Sequence, residues 1–272
     1  MSSLINNVLS ILLNIRLLFK VISIFTVLSI STSALAESDS NSLTVLSGGF
    51  AYVSEFQGSD DYVWIPIPVY SIYWDDGSSL EIGGLSANWN ISKDKKYSYG
   101  LQGSIVFGRS DVSDPVIKRM KPLDDTINFG PYGAVKLQDW TFELGITADI
   151  GGANDGILSK LSAGTTLYKQ GENNLQLTFK ADYANQAYMQ TYFSVNLLNS
   201  IRTGLPLYRA EAGFLSSGLS FSYTHQLSSH WNLYVSQDFS RLSTNAADSP
   251  IVSQRGNKNQ YITFVLFSYL FY

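Results

Sequence analysis

The chain has 272 residues, no cysteine, two histidines and a formal charge of −4. Without cysteine there is no disulfide framework, no thiolate metal site and no thiol nucleophile, and without a basic block nothing points to nucleic acid. Charged residues make up 15% of the chain and aromatics 14%, with 17 Tyr and 15 Phe. So few charges beside so many tyrosines describe a surface that meets something other than water.

In chain order the first element is a targeting segment. Val21 to Ile30 form a short apolar core behind Arg16 and Lys20, followed by Ser31-Thr32-Ser33-Ala34-Leu35-Ala36. Small residues at 34 and 36 match a signal-peptide cleavage site, so residues 1–36 are expected to be removed between Ala36 and Glu37. The unbroken apolar run is far shorter than the roughly 20 residues a spanning helix needs. Removal takes away two basic and no acidic residues and shifts the formal charge to −6. Residues 37–272 then form one domain with no apolar run long enough for a spanning helix.

That domain alternates with period two. From Trp140 to Ile150 every even position is apolar and every odd one is polar or glycine. From Leu175 to Tyr183 the odd positions are apolar; Leu219, Phe221 and Tyr223 alternate with Ser220, Ser222 and Thr224; Trp231, Leu233 and Val235 alternate with Asn232, Tyr234 and Ser236. Such strands have one apolar and one polar face. A soluble sandwich and a membrane barrel share this pattern. Three features favour the barrel. The segments run about 10 to 14 residues, the length of tilted spanning strands. Aromatics fall near strand ends at Trp64, Tyr70, Trp74, Trp89, Tyr97, Tyr132, Trp140, Tyr168, Trp231 and Tyr269, as in the girdles at the two membrane interfaces. Glu143, Asp149, Lys180, Asp182 and Asp238 sit on the polar face, which a dry core would reject.

Strands are predicted near 43–56, 62–74, 79–92, 96–109, 126–138, 140–151, 157–169, 173–186, 214–226, 229–242 and 258–272. The last, from Tyr261 to Tyr272, ends on an aromatic residue, as barrel-insertion signals do. Short connections at 137–139, 170–174 and 228–229 suit periplasmic turns, and long ones at 110–125, 187–213 and 243–257 suit extracellular loops. Asp75-Asp76-Gly77 is a tight turn where this alternation calls for an outer loop. Eleven strands is odd, whereas single-chain bacterial barrels have even counts. The expectation is an all-β transmembrane antiparallel up-and-down barrel of twelve strands, with ten as the fallback. The missing strand is sought in 110–125 or 187–213.

Several segments resemble the MipA/OmpV family of MltA-interacting outer-membrane proteins. Phe56-Gln57-Gly58-Ser59-Asp60 is similar to its Y-x-G-S-D element, with Phe for Tyr, and Pro66-Ile67-Pro68 to its P-x-P strand. Gly108-Arg109 resembles a Gly-Arg pair closing an early strand. Tyr192-Phe193-Ser194-Val195 resembles Y-F-G-V, with Ser for Gly, and Gly204-Leu205-Pro206-Leu207-Tyr208 resembles S-G-L-P-x-Y, with Thr203 for the Ser. Arg241-Leu242 and Ala247 to Val252 match its R-L…D-S-P-I-V segment. The resemblance implies a barrel in the cell outer membrane, in contact with its lipid. One family role is that of a scaffold joining a murein hydrolase, a lytic transglycosylase, to a peptidoglycan synthase. Other members are described as adhesion- or stress-related. It carries no catalytic residues.

Physically, Gly58 and Gly204 suit positive φ at tight bends. Asp60 and Asp61 suit side-chain turns, and Pro206 and Pro250 suit stiff loops that end pairing. His225 and His230 flank a turn on the periplasmic side and are expected to be solvated turn residues. Ser222 and Thr224 lie near His225 in sequence without forming a recognisable triad pattern. Glu143 and Asp149, six residues apart on one face, are roughly 20 Å apart in a strand, too far for a glycosidase pair. The aspartate pairs 60–61 and 75–76 lack calcium-loop spacing. No catalytic, cofactor-binding or metal residue is therefore assigned. The expected function is a non-catalytic scaffold for peptidoglycan-remodelling enzymes, with murein hydrolase and synthase as partners. The alternatives are a small-solute channel through a wet lumen and an adhesion- or stress-related surface barrel.

Overall fold

A computed structural model describes residues 42–84, 86–106, 108–110, 112–123, 125–152 and 154–272. The expected signal peptide and its cleavage site lie outside the described residues. Among those described, no helix is long and apolar enough to cross a membrane.

Twelve antiparallel strands close into one barrel, each paired with its neighbours in sequence. They are β1 (Ser42–Ser54), β2 (Tyr62–Trp74), β3 (Ser79–Gly83), β4 (Ser86–Asn90), β5 (Tyr97–Val106) and β6 (Thr126–Leu137). There follow β7 (Trp140–Asp149), β8 (Ile157–Gln170), β9 (Asn173–Ala184), β10 (Gly213–Gln226), β11 (Trp231–Leu242) and β12 (Asn259–Phe271). The seam joins β1 to β12 from Thr44↔Phe271 to Tyr52↔Thr263. Both β1's start and β12's end stand at the end of the barrel that carries the short turns.

The twelfth strand does not come from 110–125 or 187–213, which are irregular or helical. It comes from the segment read as one strand over 79–92. Gly84, with φ +55°, breaks that run, and β3 and β4 pair back on each other from Ser79↔Asn90 to Gly83↔Ser86. The alternation of connections then closes, and Asp75-Asp76-Gly77 belongs at the turn end. The apolar positions shift there from even, Leu80 and Ile82, to odd, Leu85, Ala87 and Trp89, a break in phase that marks the reversal and that reading 79–92 as one strand passes over.

The short hairpin leaves a notch in the wall. β3 pairs with β2 only from Val69 to Tyr73, so β2 residues 62–68 pair with β1 alone. The Pro68 carbonyl points toward the hairpin, where it accepts from Gly84 N–H at 2.8 Å. Pro68, and Pro66 two residues earlier, therefore stand where an N–H would have pointed into the notch. Proline has none, so the open edge offers fewer donors to a foreign strand.

The faces follow the alternation. Outward side chains are apolar and exposed, among them Leu46, Phe50, Ile82, Leu144, Ile146, Leu161, Phe221 and Phe267. Aromatics gather at both ends of this band. Trp89, Tyr97, Trp140, Tyr168 and Trp231 ring the turn end. At the loop end Tyr52 packs on Tyr62 and Trp64, Tyr183 on Phe214, and Phe239 on Tyr261. Trp231 and Phe239 mark the two girdles on β11. Their separation is about 27 Å along the strand, or roughly 20 Å along the axis at the usual tilt, which fits the hydrocarbon band of such barrels. Tyr132 is the exception among the aromatics expected in the girdles: it points inward and is buried. A polar outward residue, Gln237, is satisfied by its cross-strand neighbour, since Thr263 Oγ1 donates to Gln237 Oε1 at 2.7 Å.

Glycine controls the closing seam. A Cβ on Gly49, which faces inward, would stand 1.9 Å from the Val265 carbonyl oxygen. On the outward Gly48 it would meet nothing within 4 Å. Gly49→Val is therefore expected to cost about 1–3 kcal/mol by overpacking and to reduce the folded, heat-modifiable fraction on unboiled gels. Gly48→Val is expected to fold like the parent.

Candidate functional site: a half-dry lumen under a loop cap

The inner wall divides into two unlike halves. From β1, β2 and β12 it receives Ala51, Val53, Ile65, Val69, Ile262 and Leu266, all buried, with Ile67 and Phe264 packed against them. Tyr234 of β11 completes this dry half. Alternation misreads these strands because β1, β2 and β12 carry apolar residues on both faces, as in β2, where Trp64 and Tyr70 face outward and Ile65, Ile67 and Val69 inward. Fully burying a side chain such as Ile65 or Leu266 contributes about 1.5–3 kcal/mol, so this half supports the barrel from within.

The opposite half is polar. Glu143, Lys180, Asp182 and Asp238 project inward as the alternation predicts, joined by Lys160 and Gln102 around a cavity of about 180 Å³. Lys180 Nζ meets Asp238 Oδ1 at 2.9 Å, and Ser216 Oγ donates to Asp182 Oδ2 at 2.8 Å. Further toward the turn end, Tyr73 OH donates to Glu81 Oε1 at 2.9 Å. Buried inward oxygens on Asn128, Ser220, Ser236 and Asp238 have no protein partner among the described residues. Such groups can be satisfied by water, so this half is suited to hydration where the other is not. Asp149 is also inward, at the loop end, where it accepts from the backbone N–H groups of Gly151, Asn154 and Asp155 and from Thr126 Oγ1. Its role is to shape the 150–156 connection.

The long connections fold together over the loop end. They contain a 3₁₀ turn at Ile117–Arg119, then α1 (Gln186–Phe193) and α2 (Leu197–Thr203), and α3 (Thr244–Ala247) and α4 (Pro250–Ser253). Asn185 and Asn196 cap α1 and α2, each accepting from a backbone N–H three residues on. Two apolar clusters hold the cap. One buries Tyr188, Met189, Phe193, Leu215, Leu242 and Val252; the other buries Phe56, Val112, Ile117, Met120, Leu205 and Ile251.

Polar ties then join loop to loop. Glu55 accepts from Ser113 N–H at 2.7 Å and Ser113 Oγ at 2.8 Å. Ser249 Oγ donates to the Phe193 carbonyl at 2.6 Å, and Tyr208 OH to the Asn245 carbonyl at 2.7 Å. Tyr188 OH donates to Gln57 Oε1 at 3.2 Å, and both residues line the cavity from above.

The family-like motifs mostly build this cap. Gly58 takes φ +96° and Gly204 φ +79°, as expected, the latter ending α2. A Cβ on Gly58 would lie 2.6 Å from Val252, so two motifs distant in sequence meet here. The turn near Asp60 is made by a serine instead: Asp61 N–H donates to Ser59 Oγ at 3.0 Å. Pro250 opens α4 at its first turn, where its missing N–H is harmless.

The histidines stay at the turn end and join the aromatic girdle. His225 stacks on Tyr223 and His230 on Tyr269. Ser222 and Thr224 project inward while His225 projects outward, its Nδ1 3.0 Å from Asn173 Oδ1, so neither hydroxyl meets it; His230 Nδ1 lies 2.8 Å from Ser229 Oγ at the exposed turn. Asp76 is taken by Lys93 at 2.9 Å and by Ser78. Among the described residues no three metal-ligating side chains converge.

One cap tie responds to pH. Asp114 Oδ1 accepts from the N–H groups of Val116 and Ile117, and Oδ2 from Arg255 Nε and Nη2 at 2.9 and 2.5 Å. Partial burial pushes this carboxyl up, but the Arg255 guanidinium and the two backbone donors outweigh it and hold it below its ordinary 3.8. The tie therefore contributes fully above the ordinary carboxylate range and is lost as pH falls through the lowered value. Hydrogen exchange at amides 113–119 is expected to rise in that acid window while the barrel stays folded. In Arg255→Gln the rise is expected to begin at higher pH.

No curated protein matches the chain. Among solved structures it is similar to the NanC porin, at 13% identity and a TM-score of 0.46, over 82% of this chain and 98% of that one. It is also similar to the COG4313 outer membrane channel from Pseudomonas putida F1, at 9% identity and TM-score 0.42, over 87% and 100% of the two chains. The translocator domain of the autotransporter NalP from Neisseria meningitidis gives 10% identity and TM-score 0.43, over 88% and 91%. The family model described as MltA-interacting protein MipA matches residues 46–271, from within the first strand to the end of the last. The capped barrel with its lipid-facing apolar band is thus an outer-membrane protein, and the chain belongs to the MltA-interacting protein MipA family.

Proposed function

We propose that this protein is a non-catalytic outer-membrane scaffold that holds a murein hydrolase of the MltA kind, and with it a peptidoglycan synthase, at the periplasmic face. The family's description supports the hydrolase as a partner. The observation that carries the reading is a preformed platform at the turn end, which faces the periplasm in barrels of this type.

The β2–β3 turn at 75–78 and the β4–β5 turn at 91–96 lock together there. Lys93 pairs with Asp76, and Asn90 Nδ2 donates to the Gly77 carbonyl at 3.0 Å. Asp94 Oδ1 accepts from Lys96 and Tyr97 N–H at 2.6 and 2.9 Å, which fixes the second turn. The platform presents Asp75, Lys95, Lys96 and the exposed Ile91. Because these turns are already ordered, little entropy is lost on docking.

A channel is the second reading, and the wet half of the lumen favours it. The Tyr188–Gln57 bond and the two apolar clusters of the cap argue for a closed outer mouth. An adhesion- or stress-related surface role would act through the cap itself.

Surface plasmon resonance of the detergent-solubilised barrel with a purified MltA-type transglycosylase tests the scaffold. Saturable binding is expected, weakened about tenfold by Asp75→Lys with Lys95→Glu and Lys96→Glu, as for charged groups at an interface. No binding by the parent protein would refute the scaffold. In planar bilayers the parent is expected to show no conductance steps above background; large steady steps would favour the channel.

A further inference from the structure

Arg109 is only 7% exposed, yet none of the described carboxylates pairs with it. Its Nη1 donates to the Tyr192 carbonyl at 3.0 Å, and its guanidinium lies 6.0 Å from the Phe56 ring centroid. Its Nε is buried with no partner among the described residues. A buried cation without a counter-charge is costly. The nearby Asp125 is turned to another task, accepting from Gly108 N–H at 2.8 Å. Burial pulls the guanidinium down to about 10, still charged at neutral pH.

Arg109 lines a crevice of about 950 Å³ between the 107–125 and 185–212 connections, on the loop-end face. Lys121 and Arg209, both exposed, line the same crevice, with Asn154, Gln190 and Asn199 supplying side-chain amides. No Asp or Glu lines it among the described residues. Asn199 Oδ1 is held by Lys121 N–H at 2.8 Å, which ties the two walls together. Three cations around one concave surface of this size suit a doubly charged oxyanion on a sugar-sized body.

We propose that this crevice binds a phosphorylated sugar at the outer face of the cap, with Arg109 as the buried anchor and Lys121 and Arg209 as its flanking cations. The phosphate has two possible sources, a sugar phosphate free in solution or the phosphorylated headgroup of lipid A in the outer leaflet. The site is separate from the turn-end platform, and its test does not depend on the scaffold.

Titration calorimetry of the full chain, purified from membranes in zwitterionic detergent, decides it. The probes are glucose 1-phosphate and, in mixed micelles, diphosphorylated lipid A. One-site binding of glucose 1-phosphate supports the proposal and assigns a soluble ligand. Binding of lipid A alone supports it and assigns the headgroup. Arg109→Gln is expected to weaken the bound probe roughly ten- to a hundredfold. Lys121→Ala with Arg209→Ala, both surface changes, keeps the test decisive if the Arg109 variant fails to fold. No saturable binding of either probe by the parent, or undiminished binding by the folded variants, overturns the proposal.

Discussion

Inside a bilayer a backbone N–H or C=O has no water to bond, so a strand that enters it needs a partner on each side. A sheet meets that demand only by closing on itself. Here the closure runs from β2 around to β12 and back through the β1–β12 seam. Much else follows from it. The approach of β12 to Gly49 leaves no room for a Cβ, and the outward face must be apolar along each strand. Where pairing lapses, beside the β3–β4 hairpin, the exposed edge carries Pro66 and Pro68, residues with no N–H to leave unpaired.

Closure creates an interior that must be filled or wetted. This chain does both. The β1–β2–β12 arc packs Val53, Ile65 and Leu266 as a soluble core would, and the arc from β7 to β11 keeps Lys180, Asp182 and Asp238 in a polar cavity. The dry arc stiffens the seam strands from inside. Lys180 and Asp238 pair, so the wet arc limits its own desolvation cost. Over both, the loops form a second structure with its own apolar clusters, tied loop to loop at Glu55, Asp114 and Ser249.

This division separates two faces that a partner could meet. The turn end is small, ordered and charged, suited to a protein docking from the periplasm. The loop end is larger and apolar within, and it holds one buried arginine whose charge the described residues do not answer.

Much of this was legible in the sequence, because a strand's period of two is local. Alternation at 140–150, 175–183, 219–224 and 231–236 placed the strands, named Glu143, Lys180, Asp182 and Asp238 as inward, and put His225 and His230 by a turn. The need for an even count called for a twelfth strand. What the sequence could not determine depends on which distant segments meet. The reversal at Gly84 shifts the apolar phase from even to odd positions, but a bulge within one strand would shift it too, so the pairing partners decide between them. Tyr132 carries the same ring whether it faces lipid or lumen, and its facing depends on its register against β5 and β7. The dry arc, the meeting of Gly58 with Val252 and the burial of Arg109 arise from chain ends and loops brought together by closure. Local chemistry sets the period of each strand, and tertiary structure decides what each face touches.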